Sequence, residues 1–238
     1  MTADDPRREE RRSRPLALLA LLLLVPAPSV GTILGLWPDD PGLFGKIAYF
    51  ASKVWLVALP TLWWLGVERG RASRSPARRG GFGVAIGLGL AISAAILGAF
   101  LVVGHWIPTE DFIATADKNG IGTPATYFGL MVYIVLFNAV LEEYVWRWFV
   151  VHQCETLLAR KAAIVASALL FTVHHVFALM AQMPVAVTVL GSIGVFLGGV
   201  IWSWCYVTYR SIWPGYVSHA IVDVTIFAIG AWLLFGGS

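Results

Sequence analysis

Charge is what this sequence has least of. Only 13% of its 238 residues are Asp, Glu, Lys or Arg, whereas 58% are hydrophobic. A soluble domain carries about twice that charged share, so an ordinary water-soluble enzyme is excluded. Cysteine is almost missing too: Cys154 and Cys205 match no metal or redox spacing. That excludes a disulfide framework and leaves two reduced structural thiols as the expectation. There is no alternating ten-residue pattern, which excludes an outer-membrane barrel. The glycines at 83, 87, 89 and 98 are not followed by the lysine and hydroxyl residue of a phosphate loop. Hydrolase signatures such as H-E-x-x-H, G-x-S-x-G and G-x-G-D are absent as well.

What is present is a series of apolar runs, each near the roughly 20 residues needed to cross a bilayer. They lie at about 16–37, 44–67, 82–106, 126–151, 162–180, 185–209 and 213–235. The expected fold is therefore all-α, a polytopic transmembrane helix bundle of about seven spans. The first run begins like a signal-peptide core, with small residues at 27–29. Its apolar character continues to Trp37, so it reads as a retained span kinked by Pro26 and Pro28. Thirteen of the seventeen basic residues fall in 7–14, 69–79, 160–161 and at Arg210. With a cytoplasmic N-terminus all four clusters share the cytoplasmic side, as the positive-inside rule requires. This accounts for the basic clusters without nucleic acid. The expected organisation is a disordered basic cytoplasmic arm over 1–14, N-terminal spans and loops over 15–125, and a C-terminal helical core over 126–238. Small residues in the third span are expected to allow close helix approach. Residues 152–161 read as a short basic turn or as a continuation of the fourth helix.

Eight polar groups fall where hydrocarbon should be: Lys53, Glu142, Glu143, Arg147, His174, His175, His219 and Asp223. An ionisable side chain there costs about 2.5–3.5 kcal/mol on insertion scales and is a functional-site hypothesis by default. Successive helical residues are about 100° apart. Glu143 and Arg147, at i and i+4, share a face and can pair, while Glu142 points elsewhere and is free to act in a cavity. His219 and Asp223 share a face by the same rule. His174 and His175 diverge, so only one can join Glu142. Lys53 fits a side chain that snorkels to the interface. An inert ion network could explain any one of these groups. A Glu, a His, and a His with an Asp on three spans of one small protein point instead to a shared polar cavity.

Three short motifs stand in order: Glu142-Glu143-x-x-x-Arg147, Phe171-x-x-x-His175 and His219-x-x-x-Asp223. They resemble the E-E-x-x-x-R, F-x-x-x-H and H-x-x-x-N/D signatures of the CPBP family. This family comprises the CAAX proteases and bacteriocin-processing enzymes and is also called the type II CAAX prenyl endopeptidase or ABI family. The approach from Gly199 to Pro214 resembles that family as well. The resemblance covers roughly 126–223 and selects His175 over His174. It implies an intramembrane endopeptidase acting on a membrane-embedded or lipid-modified peptide, in the cytoplasmic membrane of a bacterium or archaeon. Glu142 would be the general base, with His175 orienting water and His219 and Asp223 facing the scissile carbonyl. Asp223 stands where many members have Asn; it would have to be protonated or orient His219 as the donor. No cofactor is favoured, although Glu142, His175 and His219 could ligate zinc as a His₂Glu set. The alternatives from residues alone are a proton-coupled transporter or a non-proteolytic scaffold or immunity protein.

Overall fold

The computed structural model describes residues 6–68 and 80–236, and all regular structure among them is helical. Seven helical segments are long and apolar enough to cross a membrane: Ser13–Leu36, Gly42–Gly66, Phe82–Trp106, Pro124–Leu157, Arg160–Met180, Val185–Tyr209 and Ile212–Phe235. The protein is thus a multi-pass integral membrane protein, with spans close to those read from hydropathy. Much of the expected basic loop at 68–81 lies outside the described residues.

The first span is two helices, α1 (Pro6–Leu24) and α2 (Pro26–Leu36). The break falls at Pro26, whose ring nitrogen cannot donate to the preceding turn. The arm expected to lack structure is helical from Pro6, because apolar residues from Leu16 onward extend a helix already begun upstream. Arg14 Nη2 then donates to the carbonyl of Leu157 (3.1 Å), tying α1 to the end of the fourth span. The second and third spans are α3 (Gly42–Gly66) and α4 (Phe82–Val103). The polar segment after α4 contains α5 (Thr109–Lys118), with Glu110 and Asp111 in its first turn and Lys118 in its last. That charge order complements the helix dipole, and hydropathy alone gives no sign of it.

The fourth span is irregular along its length. It comprises α6 (Pro124–Tyr133), a π-helical turn (Ile134–Asn138), α7 (Ala139–Glu142), a longer π-helical stretch (Glu143–Val150) and α8 (Val151–Leu157). Residues 152–157 continue the helix, which settles the choice left open above. The remaining spans are α9 (Arg160–Met180), α10 (Val185–Tyr209) and α11 (Ile212–Phe235).

The core forms where the π-helical stretch meets α9, α10 and α11, and includes Trp146, Phe149, Val150, Phe171, Trp202 and Val222. α4 lies along α11 at very short range. A Cβ on Gly89 would stand 3.1 Å from both the Cα and the carbonyl oxygen of Ser218, so only glycine permits this approach. Next to it, Thr225 Oγ1 donates to Ser93 Oγ (2.8 Å). Gly83, Gly87 and Gly98 have nothing within 4 Å of such a Cβ, so the close approach rests on part of the small-residue stripe.

Candidate active site

The fourth span presents its two carboxylates on different sides. Glu143 is completely buried and lies 3.5 Å from Arg147 Nε through Oε1, an i, i+4 pair with both side chains inaccessible. Among the described residues, no hydrogen bond reaches any nitrogen of the Arg147 guanidinium. Its charge is stabilised instead by Glu143 and by two aromatic faces, with Cζ 4.4 Å from the Phe171 ring centre and 5.5 Å from that of Trp202. Breaking such a buried pair from one side is far more costly than never forming it.

Glu142, one residue earlier, faces a partly open pocket; 18% of its side chain is exposed. Asn138 Nδ2 donates to Glu142 Oε1 at 2.8 Å. His175 Nε2 stands 4.0 Å from the same oxygen, and His219 Nε2 stands 3.7 Å from Oε2. Three spans therefore converge on one carboxylate.

Each histidine is held by its other nitrogen. His175 Nδ1 lies 3.0 Å from the carbonyl oxygen of Phe171, one turn back on α9. A carbonyl can only accept, so Nδ1 carries the proton and Nε2 of the neutral ring offers its lone pair to the pocket. His219 Nδ1 lies 3.2 Å from Glu143 Oε1. Trp202 stacks on the His219 ring, with centres 4.0 Å apart and planes inclined by 16°, and Trp202 Nε1 donates to Ser218 Oγ (3.2 Å). Asp223 Oδ1 is 3.7 Å from His219 Nε2, while Asp223 Oδ2 has no hydrogen-bond partner among the described residues.

The sequence-predicted residues thus meet, with one change of geometry. The resemblance leaves Asp223 either protonated or orienting His219. The carboxylate on the far nitrogen is that of Glu143, and Asp223 shares the pocket-facing nitrogen with Glu142. Glu143 therefore links Arg147 to His219 and does more than pair with the arginine. His174 is buried and packs edge-on to the His175 ring, with centres 5.1 Å apart.

Sequence reasoning missed Asn138, Trp202 and Gly215. Asn138 was legible, because i−4 from Glu142 is the same face. Trp202 is one of 11 tryptophans and carries no distinguishing local signal. Gly215 matters through a contact: a Cβ there would stand 2.5 Å from Glu143 Oε2.

Glu142, His175 and His219 supply zinc-compatible atom types. Among the described residues, however, no three His, Cys, Asp or Glu side chains are grouped so as to hold a metal ion.

Residues 124–225 match the family described as type II CAAX prenyl endopeptidase Rce1-like. The match starts where α6 starts and contains all three motifs, so the resemblance extends from seven motif positions to a continuous segment. No curated protein and no solved structure matches the chain.

Proposed function

We propose, from the match of 124–225 to the type II CAAX prenyl endopeptidase Rce1-like family, that the chain is an intramembrane endopeptidase that hydrolyses peptide bonds by a glutamate-type mechanism at Glu142. The observation that carries this reading is the convergence of His175 Nε2 and His219 Nε2 on the two oxygens of one partly exposed carboxylate, at 4.0 and 3.7 Å.

Hydrolysis needs an activated water, a donor for the oxyanion, and a proton for the leaving amine. A water between Glu142 and His175 would give one hydrogen bond to the carboxylate and the other to the Nε2 lone pair. As its oxygen attacks the scissile carbonyl carbon, its proton passes to Glu142, which later delivers it to the departing nitrogen. His219, with a proton on each nitrogen, donates Nδ1–H to Glu143 and Nε2–H to the developing oxyanion. Asp223 accepts from Nε2 before the substrate carbonyl arrives. Arg147 fixes Glu143 and so acts on His219 at one remove.

The substrate class is a peptide segment within or delivered through the bilayer, and the setting is a bacterial or archaeal cytoplasmic membrane. No resident metal is proposed. The zinc reading would make Glu142, His175 and His219 ligands, and metal analysis of the purified protein with and without chelator separates the two. The decisive experiment compares membrane-protein fragments from cells carrying wild type and Glu142→Gln. Specific fragments should vanish in the variant, with the purified rate falling by about 10²–10⁴-fold. Undiminished cleavage by a folded Glu142→Gln protein would refute the assignment and return the chain to a scaffold or transport role.

A further inference from the structure

The mechanism leaves one polar neighbour of Glu142 without a role. Asn138 lies outside all three motifs, one turn before Glu142 in the fourth span. The residues just before it, Leu136 and Phe137, are exposed, whereas Asn138 is half-buried. An amide placed in hydrocarbon without a partner is costly, and in membrane bundles such a side chain commonly bonds across to another helix. This one does not. Among the described residues its side-chain hydrogen bond is to Glu142 on its own helix, so it ties no two spans together.

The local backbone sets up this pair. Asn138 closes the first π-helical turn, α7 is the single α turn that follows, and the longer π-helical stretch begins at Glu143. Residues four apart across one α turn lie within about 40° of each other. The bond from Asn138 Nδ2 to Oε1, 2.8 Å long, is the one direct hydrogen bond to the Glu142 carboxylate among the described residues. His175 Nε2 at 4.0 Å and His219 Nε2 at 3.7 Å both stand beyond hydrogen-bond reach. The last torsion of a glutamate is a broad rotor, so a carboxylate released from Asn138 is free to turn toward the nearer histidine. In the proposed reaction His219 carries a proton on each nitrogen, and that contact would be a buried charge-assisted pair. It would occupy the base and the oxyanion donor at once and draw Oε1 away from the water beside His175.

We infer that Asn138 is a positioning residue for the reaction at Glu142: its amide holds the carboxylate between the two histidines and keeps it from closing onto His219. Oε1 accepts one bond from the amide and retains a lone pair for the attacking water. The inference rests on the proteolytic reading and adds to it a residue that none of the three motifs contains.

The test separates the contact from the chemistry. The sequence has two asparagines, Asn119 and Asn138. Isotopic labelling of asparagine nitrogen therefore gives two side-chain amide groups by NMR, told apart with Asn119→Ser. The Asn138 amide should exchange with solvent at least about tenfold more slowly in wild type than in Glu142→Leu, as a hydrogen bond to a charged group provides. Equal exchange overturns the inference. Initial rates are then measured on a fragment whose release needs Glu142, with folding checked by thermal unfolding in detergent. Asn138→Leu removes the donor, and Asn138→Asp keeps the shape while offering only acceptors when ionised. Each should lower kcat by about 10–10²-fold with KM changed less than about twofold, as for an interaction that matters in the transition state. An unchanged kcat in a folded Asn138→Asp protein, or a loss carried by KM alone, overturns the inference. Absence of any Glu142-dependent fragment counts against the proteolytic reading instead, and the exchange measurement still decides whether Asn138 holds the carboxylate.

Discussion

Gly215→Ala tests whether Glu143 is a positioning group for His219. The new Cβ would sit 2.5 Å from Glu143 Oε2 and 3.4 Å from its Cδ. A carbon–oxygen contact settles at about 3.3–3.6 Å, so the carboxylate must retreat by roughly 1 Å. The tip of an exposed glutamate would do so at little cost. This one is fully buried, and its Oε1 already faces Arg147 Nε at 3.5 Å and His219 Nδ1 at 3.2 Å. Overpacking of that kind costs about 1–3 kcal/mol, so the substitution should lower stability measurably without preventing folding. The larger effect falls on rate. His219 follows the carboxylate, and a 1 Å displacement of a catalytic group costs on the order of 10²-fold. The control is Gly87→Ala, where the added methyl would meet nothing within 4 Å. It should be neutral or stabilise by about 0.5–1 kcal/mol, as alanine does over glycine inside a helix. The readouts are thermal unfolding in detergent and the initial cleavage rate of a fragment found to depend on Glu142. A Gly215→Ala protein that behaves like Gly87→Ala in both would show that Glu143 does not position His219.

Arg147→Met should destabilise the protein by about 3–5 kcal/mol, because it leaves Glu143 buried without its arginine; detergent melting should show early unfolding, and the double variant with Glu143→Met should recover much of the loss. Glu68, just past α3, is the titrating group on which a pH dependence can be worked out. Burial alone would raise its pKa, but hydrogen bonds from His152 and Gln153 outweigh this and hold it below the ordinary 4.5. A depressed carboxylate pKa contributes stability above its unfolded value and loses it as pH falls through the folded one. Glu68→Gln should therefore melt slightly earlier than wild type at neutral pH, by up to about 1 kcal/mol in stability. The two curves should converge as the pH drops below 4.5; a gap that widens in acid would contradict the sign.

The spans were legible because membrane helices satisfy their backbone internally and announce themselves by length alone. The Glu143–Arg147 pair was legible for a similar reason, since i, i+4 neighbours meet with no help from the fold. The contact between His219 and Glu143 was not, because 76 residues separate them and nothing local encodes which nitrogen faces which carboxylate. Trp202 escaped for the same cause: its role is to lie flat on His219, a relation between α10 and α11. The polar composition of 7–14 gives no local sign of the helix that runs from Pro6 to Leu24. Helix α5 was hidden by short length and polarity, although its acid-first, lysine-last order was on view.

The π-helical stretch from Glu143 to Val150 gives the site its phase. A hydrogen bond from i to i+5 spreads an additional residue over each turn, and such turns concentrate at functional sites. The two carboxylates stand on either side of the point where the α pattern gives way, one bound inward to Arg147 and one turned to the pocket. Length in this stretch is therefore as constrained as identity. Losing one residue would let the stretch close to ordinary winding, which keeps the flanking turns in register but turns the side chains between Glu143 and Val150 to new directions, with every proposed site residue still present.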